Sequence, residues 1–442
     1  MTISLKSHLS ASIVLPTSKS ISARALIVNA LAEAQCALCG LSDCDDTQAV
    51  IRALGTESPL PSGATTTADG AATTIDIGAA GTAMRFLTAY YATREGEEHV
   101  LTGTERMKHR PIRILVDALR QLGADISYAG EEGFPPLRIR GRRLKGGAVS
   151  IDAGVSSQYI SALLMLGPTL AEGLQLQLVG DIASRPYILM TLRLMEQFGA
   201  RYDFADHTIT IAPGGYHRTA AFTVEPDWSA ASYWYELVAL SPDADARVLL
   251  KGLAAESLQG DSICADYFLH FGVETTFTPE GAVIRKKAVE GVATPLPAAS
   301  DSPSISPVRL DFTDCPDLAQ TFVVTASLLS VPFVFGGLKT LKIKETDRIT
   351  ALIAELYKMG VVIVESAPGE LSSVATRQST RQSALQSTHA TFAAPISIRT
   401  YEDHRMAMAF APAAYLFPGL QIEHPEVVSK SYPSFWHDLP LL

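Results

Sequence analysis

The chain has 442 residues, 47% of them hydrophobic and 19% charged, with a formal net charge of −10. That length exceeds one ordinary core, so two domains are expected. The acidic balance argues against a nucleic-acid partner, and any anionic substrate must be drawn in by local basic clusters. The opening MTISLKSHLSASIVLP lacks the apolar core of a signal peptide, and no run of about 18 apolar residues exists to span a membrane. The five cysteines are odd in number, and Cys36, Cys39 and Cys44 have no second pair or His partner to complete a zinc pattern. A reduced, cytoplasmic chain without metal is the expectation.

In chain order, helix-like segments recur that end on an apolar residue and Gly before a strand-like run. They are VIRALG, LVDALRQLGADI, LMEQFGARYDF, YFLHFGVETTF and LIAELYKMGVVIV, with SFWHDLPLL closing the series. A second series interleaves with these and passes from small or polar residues to apolar ones: SKSISARALIVNALA, GAAGTAMRFLTAYYA, SSQYISALLMLGPTL, DWSAASYWYELVAL, PDLAQTFVVTASLL and EDHRMAMAFAPAAYL. Short strand-like runs such as SIVLP, TTIDIG, LRIRG, AVSIDAG, LQLQLVG, TITIAP, ARVLLKG and VRLDFTD separate them. The pattern predicts six α/β units with two helices each, in two groups of three. Residues 57–73, 291–307 and 366–395, poor in apolar side chains, read as surface loops or insertions.

Basic residues sit near the starts of the second-series helices: Lys19 and Arg24, Arg85, Arg405. Gly78 and Gly81 bare the backbone there, and Ser156, Ser157 and Gln158 offer side-chain donors. Free N–H groups and the positive end of a helix dipole favour an anion, and Lys or Arg strengthens the site. Plain N-caps are the alternative, but caps do not call for cations. The stretch 341–360, LKIKETDRITALIAELYKMG, packs Lys344, Glu345, Asp347 and Arg348 at the start of a predicted helix. On a helix Lys344 and Arg348 share a face and repel, which points either to an anion held by both or to a solvated helix start whose cations Glu345 and Asp347 neutralise. Asp317 in DCPDLAQ and Glu345 supply carboxyl groups for proton transfer, and Asp317 and Asp403 can equally be N-caps. His404 beside Asp403 reads as structural.

LPTSKSISARAL, GAAGTAMRFLTA, MKHRPIRILVDALRQLGA, SSQYISALLM, SRPYI, PDLAQT, KETDR and DHRMAMAF, in this order, resemble the 5-enolpyruvylshikimate-3-phosphate synthase family over nearly the whole chain. The resemblance implies an inside-out α/β barrel fold of two similar domains, each of three βαβαββ units. The domain holding both termini takes residues 1–18 and 225–442, residues 19–224 are inserted as the second, and the active site is expected in the interdomain cleft. It implies an addition–elimination that transfers the enolpyruvyl group of phosphoenolpyruvate to the 5-hydroxyl of shikimate 3-phosphate. Phosphate is released on the route to chorismate and the aromatic amino acids, with no metal or organic cofactor. A monomer acting on small-molecule substrates, without nucleic acid or membrane, is expected.

Carried over on matching residues, Lys19, Ser20, Arg24, Ser156, Ser157, Gln158, Ser184 and Tyr187 would bind shikimate 3-phosphate. Lys19 and Gln158 would also touch phosphoenolpyruvate, together with Gly81, Arg110, Arg348, Arg405 and Lys430. Asp317 resembles the base on the 5-hydroxyl, Glu345 the acid that protonates the methylene carbon, and Lys344 their support. Thr17, Ala23, Ala79 and Thr340 depart from the family pattern at helix starts near the site. Two other readings share the fold: an enolpyruvyl transferase acting on UDP-N-acetylglucosamine, and a catalytically diverged binding protein.

Overall fold

The computed structural model describes residues 1–55, 72–154, 156–182, 184–287, 306–374 and 395–441. The expected loops at 57–71, 291–305 and 375–394 lie outside them. The chain forms two compact units, Thr17–Glu225 and Met1–Pro16 with Pro226–Leu442.

In the Thr17–Glu225 unit, Leu174–Val179 has the sequence LQLQLV. Its period of two buries Leu174, Leu176 and Leu178 and turns the glutamines out. This strand pairs in parallel with Gly147–Asp152 and antiparallel with Thr208–Ile211, which pairs with Tyr202–Ala205. A second sheet repeats that order with Thr73–Asp76, Glu98–Thr102, Leu137–Arg140 and Asp125–Tyr128. The other unit repeats it twice more. In each, two parallel strands are followed by an antiparallel pair, and in three of the four the parallel strands are joined through a helix, the βαβαββ arrangement.

The two helix series have different environments. Arg113–Gln121 buries only Leu115, Val116, Ala118 and Leu119, the inner stripe of an amphipathic helix. Gly81–Ala92, Ser157–Leu166 and Trp228–Leu240 are buried nearly all round, the sole exceptions being Thr82, Gln158 and Ser229 in their first turns. These apolar helices pack largely on one another, as Gly81–Ala92 does on Ser157–Leu166 and Trp228–Leu240 on Ala319–Leu328, and each of the three is open only where it begins. The glycines ending the outer helices take left-handed conformations, as at Gly55 (φ 67°) and Gly360 (φ 73°), where a side chain would add strain.

Two sheets draw their first strand from a distant part of the chain. Ser10–Val14 precedes the Lys19–Leu31 helix in sequence but pairs in parallel with Arg247–Lys251. Phe222–Thr223 pairs in parallel with Leu38–Cys39.

Two local expectations are corrected. Part of the stretch 366–395 is not loop: Glu370–Ser373 is a strand paired with Ile363–Ala367 and with Val334–Phe335. Its lone apolar side chain, Leu371, is fully buried, and one anchor suffices where both neighbouring strands are present. Lys344 does not lie on a helix. The segment Lys339–Ile343 is a 3₁₀ turn, and the following helix begins at Arg348 with Asp347 as its cap, accepting from Thr350 N–H.

Candidate active site

In the unit that holds both termini, four helix starts are drawn together by two arginines. Arg348, the first residue of its helix, is 1% exposed. Its Nε donates to Asp403 Oδ2 at 2.7 Å and its Nη2 to Asp403 Oδ1 at 3.3 Å. Nη2 also reaches Glu345 Oε2 at 2.9 Å, and Nη1 reaches Asp317 Oδ1 at 3.4 Å. A buried cation at a helix N-terminus is unfavourable alone. Burial works against this charge, but Asp403, Glu345 and Asp317 outweigh it and hold the guanidinium pKa above its ordinary value.

Asp403 caps the His404–Phe410 helix, accepting from Arg405 N–H at 2.9 Å, and is also the counter-ion of Arg348. The cap reading of Asp403 holds, and the ion pair is the part that sequence reasoning missed. It is delivered by two non-glycine residues in left-handed conformation, Tyr401 (φ 55°) and Glu402 (φ 58°). Such strain persists only where the surroundings hold it, and here Tyr401 Oη donates to buried Glu355 at 2.7 Å.

Asp317 sits on the 3₁₀ turn Pro316–Leu318 ahead of the Ala319–Leu328 helix. The N-cap position of that helix is taken by Leu318 rather than by Asp317. The Asp317 carboxylate faces three cations: Arg405 Nη2 at 2.9 Å, Arg348 Nη1 at 3.4 Å and Lys344 Nζ at 3.7 Å. The anion that Lys344 and Arg348 both face here is therefore this side chain. Arg405 also donates to the Asp317 carbonyl at 3.1 Å, to Tyr233 Oη at 3.4 Å and to Ser229 Oγ at 3.4 Å. Burial pushes the Tyr233 hydroxyl up to about 12, against the pull of Arg405, so it stays protonated. Lys430 Nζ donates to Glu345 Oε1 at 2.9 Å, so Glu345 bridges two cations. Thr340 Oγ1 is buried without a hydrogen-bond partner among the described residues.

The Thr17–Glu225 unit gathers a different cluster. Arg24, on the Lys19–Leu31 helix, is 2% exposed. It donates to Thr191 Oγ1 at 2.7 Å, to Ser161 Oγ at 3.2 Å and to the Ser20 carbonyl at 2.8 Å. Its guanidinium lies 5.2 Å from the Phe86 ring centre and 6.0 Å from that of Tyr187. No carboxylate forms an ion pair with it among the described residues, and burial lowers its pKa to about 10. Lys19 pairs with Asp46 at 3.2 Å. Ser156 caps the helix holding Ser157 and accepts from Gln158 N–H, while the Gln158 amide donates to Thr82 Oγ1 at 3.1 Å. Ser184 starts the Arg185–Gln197 helix in a left-handed conformation, φ 57°.

Gly81 begins the Gly81–Ala92 helix, and the Arg110 guanidinium lies where a side chain at Gly81 would go. The loop behind Arg110 is fastened at Pro111, whose carbonyl accepts from Tyr159 Oη and from Arg85 Nη2. Arg85 donates to two backbone carbonyls, those of Gly81 and Pro111, and so braces the loop. Sequence reasoning also missed Asp46, Ser161, Thr191, Ser229 and Tyr233. Each is one polar residue among apolar neighbours, and only its partner across the fold marks it.

Fold and clusters together define a repeat-built α/β protein whose two units each gather charged side chains at the starts of buried helices. The family model of EPSP synthase (3-phosphoshikimate 1-carboxyvinyltransferase) matches residues 3–439, and the chain belongs to that family. It is 50% identical over 438 residues to the 3-phosphoshikimate 1-carboxyvinyltransferase of Bacteroides fragilis (strain YCH46), covering 99% of this chain and 96% of that one. The protein of that name from Vibrio cholerae serotype O1 (strain M66-2) is 35% identical over 442 residues, covering 97% and 96%. A solved EPSP synthase from Acinetobacter baumannii superposes with a TM-score of 0.72 at 22% identity, covering 99% of this chain and 96% of that one, a likeness of fold. No described helix is long and apolar enough to cross a membrane, and no group of three or more His, Cys, Asp or Glu able to hold a metal occurs among the described residues.

Proposed function

We propose that the chain transfers the enolpyruvyl group of phosphoenolpyruvate to the 5-hydroxyl of shikimate 3-phosphate and releases phosphate. The observation that carries this is the Asp317 carboxylate facing Lys344, Arg348 and Arg405, beside a second carboxyl, Glu345, that bridges Arg348 and Lys430. Family membership supplies the substrates.

In this reading Asp317 accepts the proton of the 5-hydroxyl as that oxygen bonds to C2 of phosphoenolpyruvate, and Glu345 gives a proton to the C3 methylene. In the second half a proton returns from the new methyl group and the C2–O bond to phosphate breaks. Lys344 stands beside Asp317 and supports both transfers. Arg348, Arg405 and Lys430 hold the phosphoenolpyruvate anion, with Arg110 over Gly81. The substrate's negative charge then occupies cations that Glu345 and Asp317 hold in its absence. Lys19, Ser20, Arg24, Ser156, Ser157, Gln158, Ser184 and Tyr187 take shikimate 3-phosphate, Lys19 and Gln158 touching both substrates. Arg24, a buried cation without a carboxylate partner among the described residues, suits an anionic ligand best. Positioned charge and orientation supply the rate enhancement.

The finer reading is a cytoplasmic monomer. Five free cysteines fit a reducing compartment, and the proposed groups all come from one chain. The test is phosphate release from phosphoenolpyruvate, with shikimate 3-phosphate or UDP-N-acetylglucosamine as acceptor. Release that needs shikimate 3-phosphate is expected. Release with the nucleotide sugar alone, or none from folded protein, overturns the reading.

A further inference from the structure

A further carboxyl stands behind Asp317 and Arg405, on the 3₁₀ turn Gly260–Ile263. The preceding residue fixes that turn to the start of the Trp228–Leu240 helix: Gln259 Oε1 accepts from Trp228 N–H at 3.0 Å, and its amide donates to the Pro226 carbonyl at 2.8 Å. This sets Asp261 against Ser229, whose hydroxyl donates to Asp261 Oδ2. Asp261 is 4% exposed, and its Oδ1 has no hydrogen-bond partner among the described residues. Arg405 Nη2 reaches Ser229 Oγ at 3.4 Å and Asp317 Oδ2 at 2.9 Å. One guanidinium nitrogen therefore faces both carboxyls, Asp317 directly and Asp261 through a hydroxyl.

We infer that Asp261 is a positioning residue for Asp317: held by Ser229 behind Arg405, its charge offsets part of the guanidinium field and so sets how readily Asp317 accepts the substrate proton. This rests on the reading of Asp317 as the base. The other titratable groups around Asp261 are Asp227 on the same helix start and the thiols of Cys264 and Cys315. Burial pushes both thiols up, so they stay neutral.

Burial, then the charge of Asp317, pushes the Asp261 carboxyl up to about 7, while Ser229 and Arg405 pull it down. Above that pH Asp261 is charged, the Arg405 field is shared, and Asp317 takes up a proton more readily. Below it Asp261 is neutral, the field falls on Asp317 alone, and the base weakens. Turnover therefore rises with pH through a limb near 7.

The experiment is the pH profile of kcat for the whole enzyme and for Asp261→Asn, Asp261→Glu, Ser229→Ala and Asp317→Asn. Asp261→Asn is expected to lose the limb, matching the parent on the acid side and falling roughly tenfold below it on the alkaline side, as about one pKa unit of coupling gives. Asp261→Glu should restore the limb. Ser229→Ala, lacking the bond that favours the charged carboxyl, should move it to higher pH. An Asp261→Asn profile that lies on the parent's, or below it by one constant factor at every pH, overturns the inference. So does a limb unmoved in Ser229→Ala, which decides the matter if Asp261→Asn does not fold. Asp317→Asn separates the two claims. If it keeps turnover within a few fold, the base reading has failed. If it is inactive while the Asp261→Asn profile parallels the parent's, the inference alone has failed.

Discussion

Arg348 grips Asp403 with two donors, Nε and Nη2, and the same Asp403 accepts the Arg405 N–H that starts the His404–Phe410 helix. One fully buried carboxylate thus fixes two of the arginines assigned to phosphoenolpyruvate. Asp403→Asn keeps the size and a cap acceptor but leaves Arg348 short of its principal counter-ion. A loss of about 3–5 kcal/mol in urea unfolding is expected, since breaking a buried pair strands the remaining charge. Glu345 and Asp317 still face Arg348, which places the result at the lower end. An unchanged midpoint would deny Asp403 that role.

Asp317→Asn is expected to fold like the parent and to lose about 10²–10⁴ in turnover, the range for a missing general base. Near-UV circular dichroism checks the first point and phosphate release the second.

Arg24→Met exchanges a buried cation, without a carboxylate partner among the described residues, for an apolar chain of similar length. The uncomplexed protein should lose little stability, because burial already opposes that charge, and lost bonds to Thr191 and Ser161 offset the gain. Shikimate 3-phosphate binding, followed by calorimetry, should weaken about 30-fold or more, the lower end for removing one partner of a buried charge contact. Equal losses of stability and affinity would mark Arg24 as a structural brace.

Gly81→Ala places a methyl group where the Arg110 guanidinium lies. Arg110 must shift, so the KM for phosphoenolpyruvate should rise severalfold while that for shikimate 3-phosphate changes little. The reverse ranking would separate Arg110 from phosphoenolpyruvate.

Glu236 lies wholly inside the Trp228–Leu240 helix packing, its two oxygens without a geometric hydrogen-bond partner among the described residues. Burial raises its pKa well above the ordinary value of 4.5, with Thr325 pulling weakly the other way. The folded state therefore favours the protonated acid. That stability is fully present below the unfolded value and is lost as pH climbs from there toward the raised folded value. Glu236→Gln should flatten the fall of stability as pH rises above the ordinary carboxyl value of 4.5, read from urea midpoints. An identical slope in parent and variant would place the titration elsewhere.

The repeats and the buried helices could be read from the sequence because apolar periodicity and terminal glycines are local. LQLQLV and LVDALRQLG state their own conformation. The motifs placed the chain in its family, and the family model and relatives bear that out. Arg348 and Arg405 were found because cations at helix starts are anomalous. Their arrangement was not, since the distance from Arg348 to Asp403 spans 55 residues of sequence. Lys344 was misplaced because a charged 3₁₀ turn and a helix start look alike without the cap bond from Asp347. Tyr233 and Ser229 carried no signal, because polar residues in an apolar helix announce only that something faces them.

The parallel pairing of Ser10–Val14 with Arg247–Lys251 bears on the order in which a growing chain can fold. Leu9 N–H donates to Asp243, 234 residues further on. At 5–20 residues per second, this first strand waits roughly ten to fifty seconds on the ribosome for its neighbour. The Thr17–Glu225 unit has all its described strands once Phe222–Thr223 emerges, and it can close while the residues before it are still unpaired. Synthesis thus completes the inner segment first and leaves the two ends of the chain to find each other last.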